Sequence, residues 1–88
     1  MMRYIITEKG VGQLVGFWSG WRLNTTQTQI LDVLNRRRKA GLSKGELACE
    51  LGLYYMHSGE LAVGMYQDML FNLRRLLLRR YVRSEVTR

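Results

Sequence analysis

Proline is missing from these 88 residues, and cysteine occurs once, at Cys49. Without proline or a low-complexity tract no composition break serves as a linker, so a single domain over residues 1–88 is expected. One thiol closes no internal disulfide, and no apolar run reaches the roughly 18 residues of a membrane span. The opening Met1-Met2-Arg3-Tyr4-Ile5-Ile6 is too short an apolar stretch for a signal peptide. These absences predict a cytoplasmic chain. Histidine also occurs once, at His57, and one His with one Cys falls short of the three or four ligands of a zinc site. The glycines precede no Gly-Lys-Ser/Thr phosphate loop, and no nucleophile stands beside a base. No enzyme, no cofactor and no small-molecule ligand are therefore expected, and His57 and Cys49 read as structural.

Acidic residues are the other scarce class. Seven Asp and Glu face fourteen Lys and Arg, giving a formal charge of +7 and a pI near 10.2. Such an imbalance favours polyanionic partners: DNA, RNA or an anionic membrane surface. The cations are also grouped. Arg36, Arg37, Arg38 and Lys39 form one cluster, and Arg74, Arg75, Arg79, Arg80, Arg83 and Arg88 form another, with Glu85 the only acid after Asp68. Hydrophobic residues make up 47% of the chain, enough for a folded core. The core of so short a chain is modest, and pairing with a second copy would add burial.

Along the chain, residues 3–7 are aromatic and β-branched and read as a strand. Thr7 supplies a cap for a helix with Glu8 in its first turn, and Val11, Leu14, Val15 and Trp18 recur at helical spacing. Gly10, Gly12, Gly16 and Gly20 each weaken that helix by up to about 1 kcal/mol relative to Ala, so it depends on packing. Asn24 with Thr25 or Thr26 caps a second helix. Its inward face is Gln27, Ile30, Leu31, Val33 and Leu34, its last turn is Arg36 to Lys39, and Ala40-Gly41 ends it. Ser43 and Glu46 form a capping box for a short helix over 44–51, with Leu47, Ala48 and Leu51 inward and Gly52 as its stop. Residues 53–58 read as a connection. A last helix begins near Gly59 or Leu61 and reaches Arg80, with Leu61, Met65, Met69, Leu73, Leu76 and Leu77 on one face. Tyr81, Val82 and Val86 then alternate with polar neighbours as a closing strand.

Two stretches carry a resemblance. Ser43-Lys44-Gly45-Glu46-Leu47-Ala48-Cys49-Glu50-Leu51-Gly52 resembles the second helix of helix-turn-helix regulators, where Glu-Leu-Ala and a following Leu-Gly are common. Leu73-Arg74-Arg75-Leu76-Leu77-Leu78-Arg79-Arg80-Tyr81-Val82 resembles the end of a winged-helix recognition helix running into its wing strand. Over about residues 25–86 the chain is similar to the winged-helix-turn-helix DNA-binding regulators. The resemblance implies a mainly α fold with a small β wing (α+β), three core helices plus the N-terminal strand and helix of residues 1–21. Two features depart from the pattern: the link between Gly52 and Leu73 is long, and Arg80 stands where a glycine usually ends the helix. Tyr4-Ile5-Ile6-Thr7-Glu8-Lys9-Gly10 resembles the last wing strand and the helix after it, a segment that normally sits at the carboxyl end. Its strand is expected to pair with residues 82–87, within one chain or across a dimer.

The resemblance also implies a mechanism, a small transcriptional regulator binding specific double-stranded DNA with its last helix in the major groove. With Met69, Leu73 and Leu76 inward, the outward positions include Gln67, Asp68, Phe71, Asn72, Arg74 and Arg75. Gln67 and Asn72 suit adenine, Arg74 or Arg75 guanine, and Phe71 a thymine methyl. Arg79, Arg83, Arg36, Arg37, Arg38 and Lys39 suit phosphates, and Lys44 belongs to the same DNA-binding set. A homodimer on palindromic sites is expected, with the helix bearing Trp18 and Trp21 as its interface. The alternative is a protein-interaction or adaptor module using the apolar surface of Leu77, Leu78 and the tryptophan helix. RNA binding lacks the usual aromatic sheet motifs, and membrane association is disfavoured because the leucines of the last helix are better used as core.

Overall fold

The computed structural model describes residues 1–16, 22–54 and 58–86. In chain order the elements are β1 (Met2–Ile6), α1 (Glu8–Leu14), α2 (Thr25–Arg36), α3 (Lys44–Glu50), α4 (Val63–Leu78) and β2 (Val82–Val86). Among the described residues this is an α+β arrangement of four helices and one two-stranded antiparallel sheet. Trp18, Trp21 and His57 lie outside the described residues, and so do the roles expected of them.

The sheet joins the two ends of one chain. β1 and β2 pair antiparallel in the register Met2↔Val86 through Ile6↔Val82. The other edge of β1 is held at one point: Tyr4 N–H donates to the Leu42 carbonyl at 2.7 Å, and Leu42 N–H to the Tyr4 carbonyl at 3.0 Å. β1 is therefore flanked on both sides, by β2 and by the turn that precedes α3. That turn needs Gly41. Its φ is +68°, and a Cβ there would lie 2.8 Å from the Tyr4 carbonyl oxygen. Arg3 ties the same turn down, donating to the carbonyls of Ala40 at 2.9 Å and Gly41 at 3.0 Å.

Helix starts follow the capping chemistry. The Asn24 side chain accepts from Gln27 N–H at 2.7 Å while Gln27 Oε1 accepts from Asn24 N–H at 3.1 Å. Gln27, Ile30, Leu31, Val33 and Leu34 are buried as their periodicity predicts. α2 closes at Arg36, so Arg38 and Lys39 sit in the following turn instead of the last helical turn. Ser43 and Glu46 form the second capping box, and Leu47 and Ala48 face inward. α4 begins later than the sequence suggests. Ala62 N–H donates to the Leu53 carbonyl at 2.7 Å and Leu61 bridges to Tyr54, which keeps residues 61–62 extended. Met65, expected inward, is 59% exposed, and α4 buries Met69, Asn72, Leu73 and Leu76. Val15, also expected inward, caps α1 and is exposed. The core joins Ile30, Leu31 and Leu34 of α2, Leu47 of α3, Leu73 and Leu76 of α4, and Tyr4, Ile6 and Val82 of the sheet.

The carboxyl end of α4 is capped from the other terminus. Arg80 takes the left-handed conformation, φ +62°, in the place where glycine is usual. Three successive carbonyls there accept bonds from the start of α1: Arg79 from Lys9 Nζ at 3.1 Å, Arg80 from the Thr7 hydroxyl at 2.7 Å, and Tyr81 from Thr7 N–H at 3.0 Å. The Lys9 ammonium also lies 5.1 Å from the Tyr81 ring centroid. A cation at a helix C-terminus is favourable, and here it offsets the strain at Arg80.

Glu46 gives the fold a pH-dependent joint. The Ser43 N–H and hydroxyl, and then the Arg3 guanidinium at 3.1 Å, hold its carboxyl below the usual glutamate range. A carboxylate lowered in the folded state contributes stability above its unfolded pKa and loses it as the pH falls through the folded value. Glu46→Gln is therefore expected to be less stable than wild type at neutral pH. Urea titrations repeated toward acid should show the two curves converging.

Candidate functional site

The outward face of α4 gathers most of the residues that the sequence marks. Gln67, Phe71, Arg74 and Leu78 follow one another at three- and four-residue steps, Arg75 stands next to Arg74 and one turn from Phe71, and all five are exposed. The Arg75 guanidinium sits over the Phe71 ring, 5.6 Å from its centroid, one turn away. Among the described residues neither Arg74 nor Arg75 forms an ion pair, and both leave their charge to solvent.

Lys44 joins this face from a distant part of the sequence. As the first residue of α3 it lines, with Arg74, a trough of about 260 Å³ whose other lining residues include Tyr4, Leu70, Leu73 and Leu77. Packing α3 against α4 and β1 is what brings the two cations to one trough. Periodicity within either helix does not contain that proximity.

Asn72 requires a correction. It was expected on the outward face as an adenine contact, but it is 3% exposed and spends its amide inside the molecule. Its Oδ1 accepts from Asn24 Nδ2 at 2.9 Å and Gln27 Nε2 at 3.1 Å, and its Nδ2 donates to the Asp68 carbonyl at 2.9 Å. Asn72 stands one position from Leu73 and three from Met69, both buried, so the helix turns it inward. Its amide is tied to the caps of α2 and is not available to a base. The sequence signal was Gln27, a polar residue on an apolar face, which needs a buried partner.

The remaining cations divide. Arg36 pairs with Asp32 at 3.4 Å, Arg37 with Glu50 at 3.1 Å, and Arg83 with Glu85 at 2.7 Å. Arg37 lines a different cleft from Lys44 and Arg74, shared with Arg3, Glu46 and Glu50. The basic run of residues 36–39 is thus partly neutralised. Arg38 and Lys39 are exposed, and Arg79 is exposed at the cap of α4.

Phe71 is 58% and Leu78 75% exposed, which makes the α4 face apolar as well as cationic. Val63 extends the same stripe toward the amino end of the helix. Among the described residues no three His, Cys, Asp or Glu side chains converge, and no helix is long and apolar enough to cross a membrane. No family model, curated protein or solved structure matches this chain.

Proposed function

We propose that this chain is a rearranged winged-helix module that binds double-stranded DNA through the outward face of α4. The observation that carries the reading is the unpaired couple Arg74 and Arg75 on an exposed helix face that also holds Gln67 and Phe71, in a chain of charge +7. Such a face offers guanidinium forks for guanine or phosphate, an amide for adenine and a ring for a thymine methyl. Lys44 adds a phosphate-seeking charge beside Arg74. Support for the winged-helix part comes from the order Leu42–β1–β2, in which the last wing strand of the usual pattern is supplied by the amino terminus.

Selection of bound sequences from a random duplex pool tests the reading. Wild type is expected to enrich a defined sequence, and Gln67→Ala to relax one position by about 1–3 kcal/mol of discrimination. The double variant Arg74→Ala/Arg75→Ala is expected to lose enrichment. A wild-type pool no different from the input would remove specific DNA binding.

A second reading has its own observation. Phe71, Leu78 and Val63 leave an apolar stripe on α4 that suits a protein partner. On that reading the Arg74/Arg75 variant keeps its partner and Phe71→Ala loses it, the reverse of the order expected with DNA.

A further inference from the structure

We infer that β2 is a self-pairing edge, and that two copies of this chain join through it into a four-stranded antiparallel sheet ordered β1-β2-β2-β1. The inference is independent of what α4 binds.

The hydrogen-bond phase of the sheet sets up the case. Both polar backbone groups of Tyr4 are used toward Leu42, away from β2. Tyr4 and Ser84 therefore form a non-hydrogen-bonded pair, and Arg83 and Glu85 direct their N–H and C=O groups to β1. The bond from Thr7 N–H to the Tyr81 carbonyl has the same phase. By alternation, the N–H and C=O of Val82, Ser84 and Val86 point to the opposite edge of β2. Among the described residues no strand pairs with that edge. Ser84 and Val86 are exposed on that edge while Val82 is buried, so the open donors and acceptors are those of Ser84 and Val86, and such groups are a template for another strand.

Side chains select the occupant. An antiparallel copy placed on a two-fold axis through Ser84 sets Ser84 opposite Ser84 of the partner subunit and Val82 opposite Val86 of the partner subunit. All of these groups point outward, and the exposed Ser84 pair exchanges both of its bonds across the axis. In the same register Arg83 stands opposite Glu85 of the partner subunit, and Glu85 opposite Arg83 of the partner subunit. These are the closely spaced, non-hydrogen-bonded positions, with Cα atoms about 4.5 Å apart. Arg83 and Glu85 already pair within the strand at 2.7 Å, so association closes a neutral cluster of two arginines and two glutamates. Val86, 68% exposed in the single chain, gains a neighbour. Moving the axis by one residue, a slide of two along the strand, places Arg83 against Arg83, or Glu85 against Glu85, and like charges directly opposite disfavour it.

Two strand edges bury little area, so the dimer is weak and is sought between roughly 10 and 500 micromolar by sedimentation velocity. Wild type is expected to shift from monomer to dimer over that range. Arg83→Glu and Glu85→Arg should each weaken self-association at least about tenfold, because each sets two like-charged pairs across the axis. Mixing the two variants should restore a dimer, since every opposed pair is again of opposite sign. Ser84→Cys in a Cys49→Ser background should cross-link on mild oxidation, with Cα atoms about 5.5 Å apart across the axis. Glu85→Cys in that background, displaced from the axis, should not. A wild-type monomer at every concentration overturns the inference. So does a dimer indifferent to both charge changes, or a mixture of the two variants that stays monomeric.

Discussion

Gly10→Ala is expected to destabilise the protein by about 3 kcal/mol, the upper end of the usual cost of overpacking. Helix propensity alone gives the opposite sign, a gain of up to about 1 kcal/mol for alanine over glycine inside a helix. Packing overrides propensity here. Gly10 is buried in α1, and a Cβ on it would overlap the Tyr81 carbonyl oxygen and lie 2.8 Å from Ile6 Cγ1. The carbonyl cannot step aside freely, because it accepts the Thr7 N–H that helps cap α4. Relief of the clash means moving α1 off the end of α4 and giving up the Lys9 and Thr7 bonds together. Gly45 is the control. A Cβ there meets nothing within 4 Å, so Gly45→Ala in α3 should stabilise by about 0.5–1 kcal/mol. Urea midpoints of the two variants should move in opposite directions from wild type.

Asn72→Leu is expected to cost about 3 kcal/mol although leucine has the greater helix propensity and fits an apolar neighbourhood. The loss is in what the change leaves behind. Gln27 Nε2 is buried and Asn24 Nδ2 is part of the cap of α2, and both donate to Asn72 Oδ1. Removing that oxygen strands a buried donor, and stranding costs more than the net value of the bond it replaces. The outcome separates two roles for Asn72. As an internal tie, its replacement lowers the unfolding free energy but leaves the base preference of the folded fraction unchanged. As a base contact, it would do the reverse.

Those two variants mark where the sequence was readable. Caps at Asn24 and Ser43 and the α2 stripe are local signals, set by bonds between residues three or four apart, and the structure follows them. Pairing of the two ends was also legible as strands that could meet within one chain or across a dimer, and the structure pairs Met2–Ile6 with Val82–Val86 within one chain. The misses are tertiary. Met65, in the first turn of α4, is exposed, and Asn72 turns inward because two amides at the start of α2 need its oxygen. The capping of α4 by Thr7 and Lys9 joins groups some seventy positions apart, and only the closure of the sheet brings them together. In the site, the sequence marks residues 36–39 and the α4 cations as two clusters. Folding pairs Arg36 and Arg37 with acids and brings Lys44 to the trough that Arg74 lines.

The proposal that α4 is a DNA-binding face is tested most directly by duplex binding measured across salt concentration. Each phosphate neutralised contributes roughly 0.9 to the slope of log affinity against log salt. Wild type should bind tightly at low salt and weaken steeply, and Arg74→Ala/Arg75→Ala should bind less tightly, with a slope shallower by about 0.9 for each of the two that meets a phosphate. An absence of binding at low salt, or a double variant that binds as tightly as wild type, would contradict the proposal.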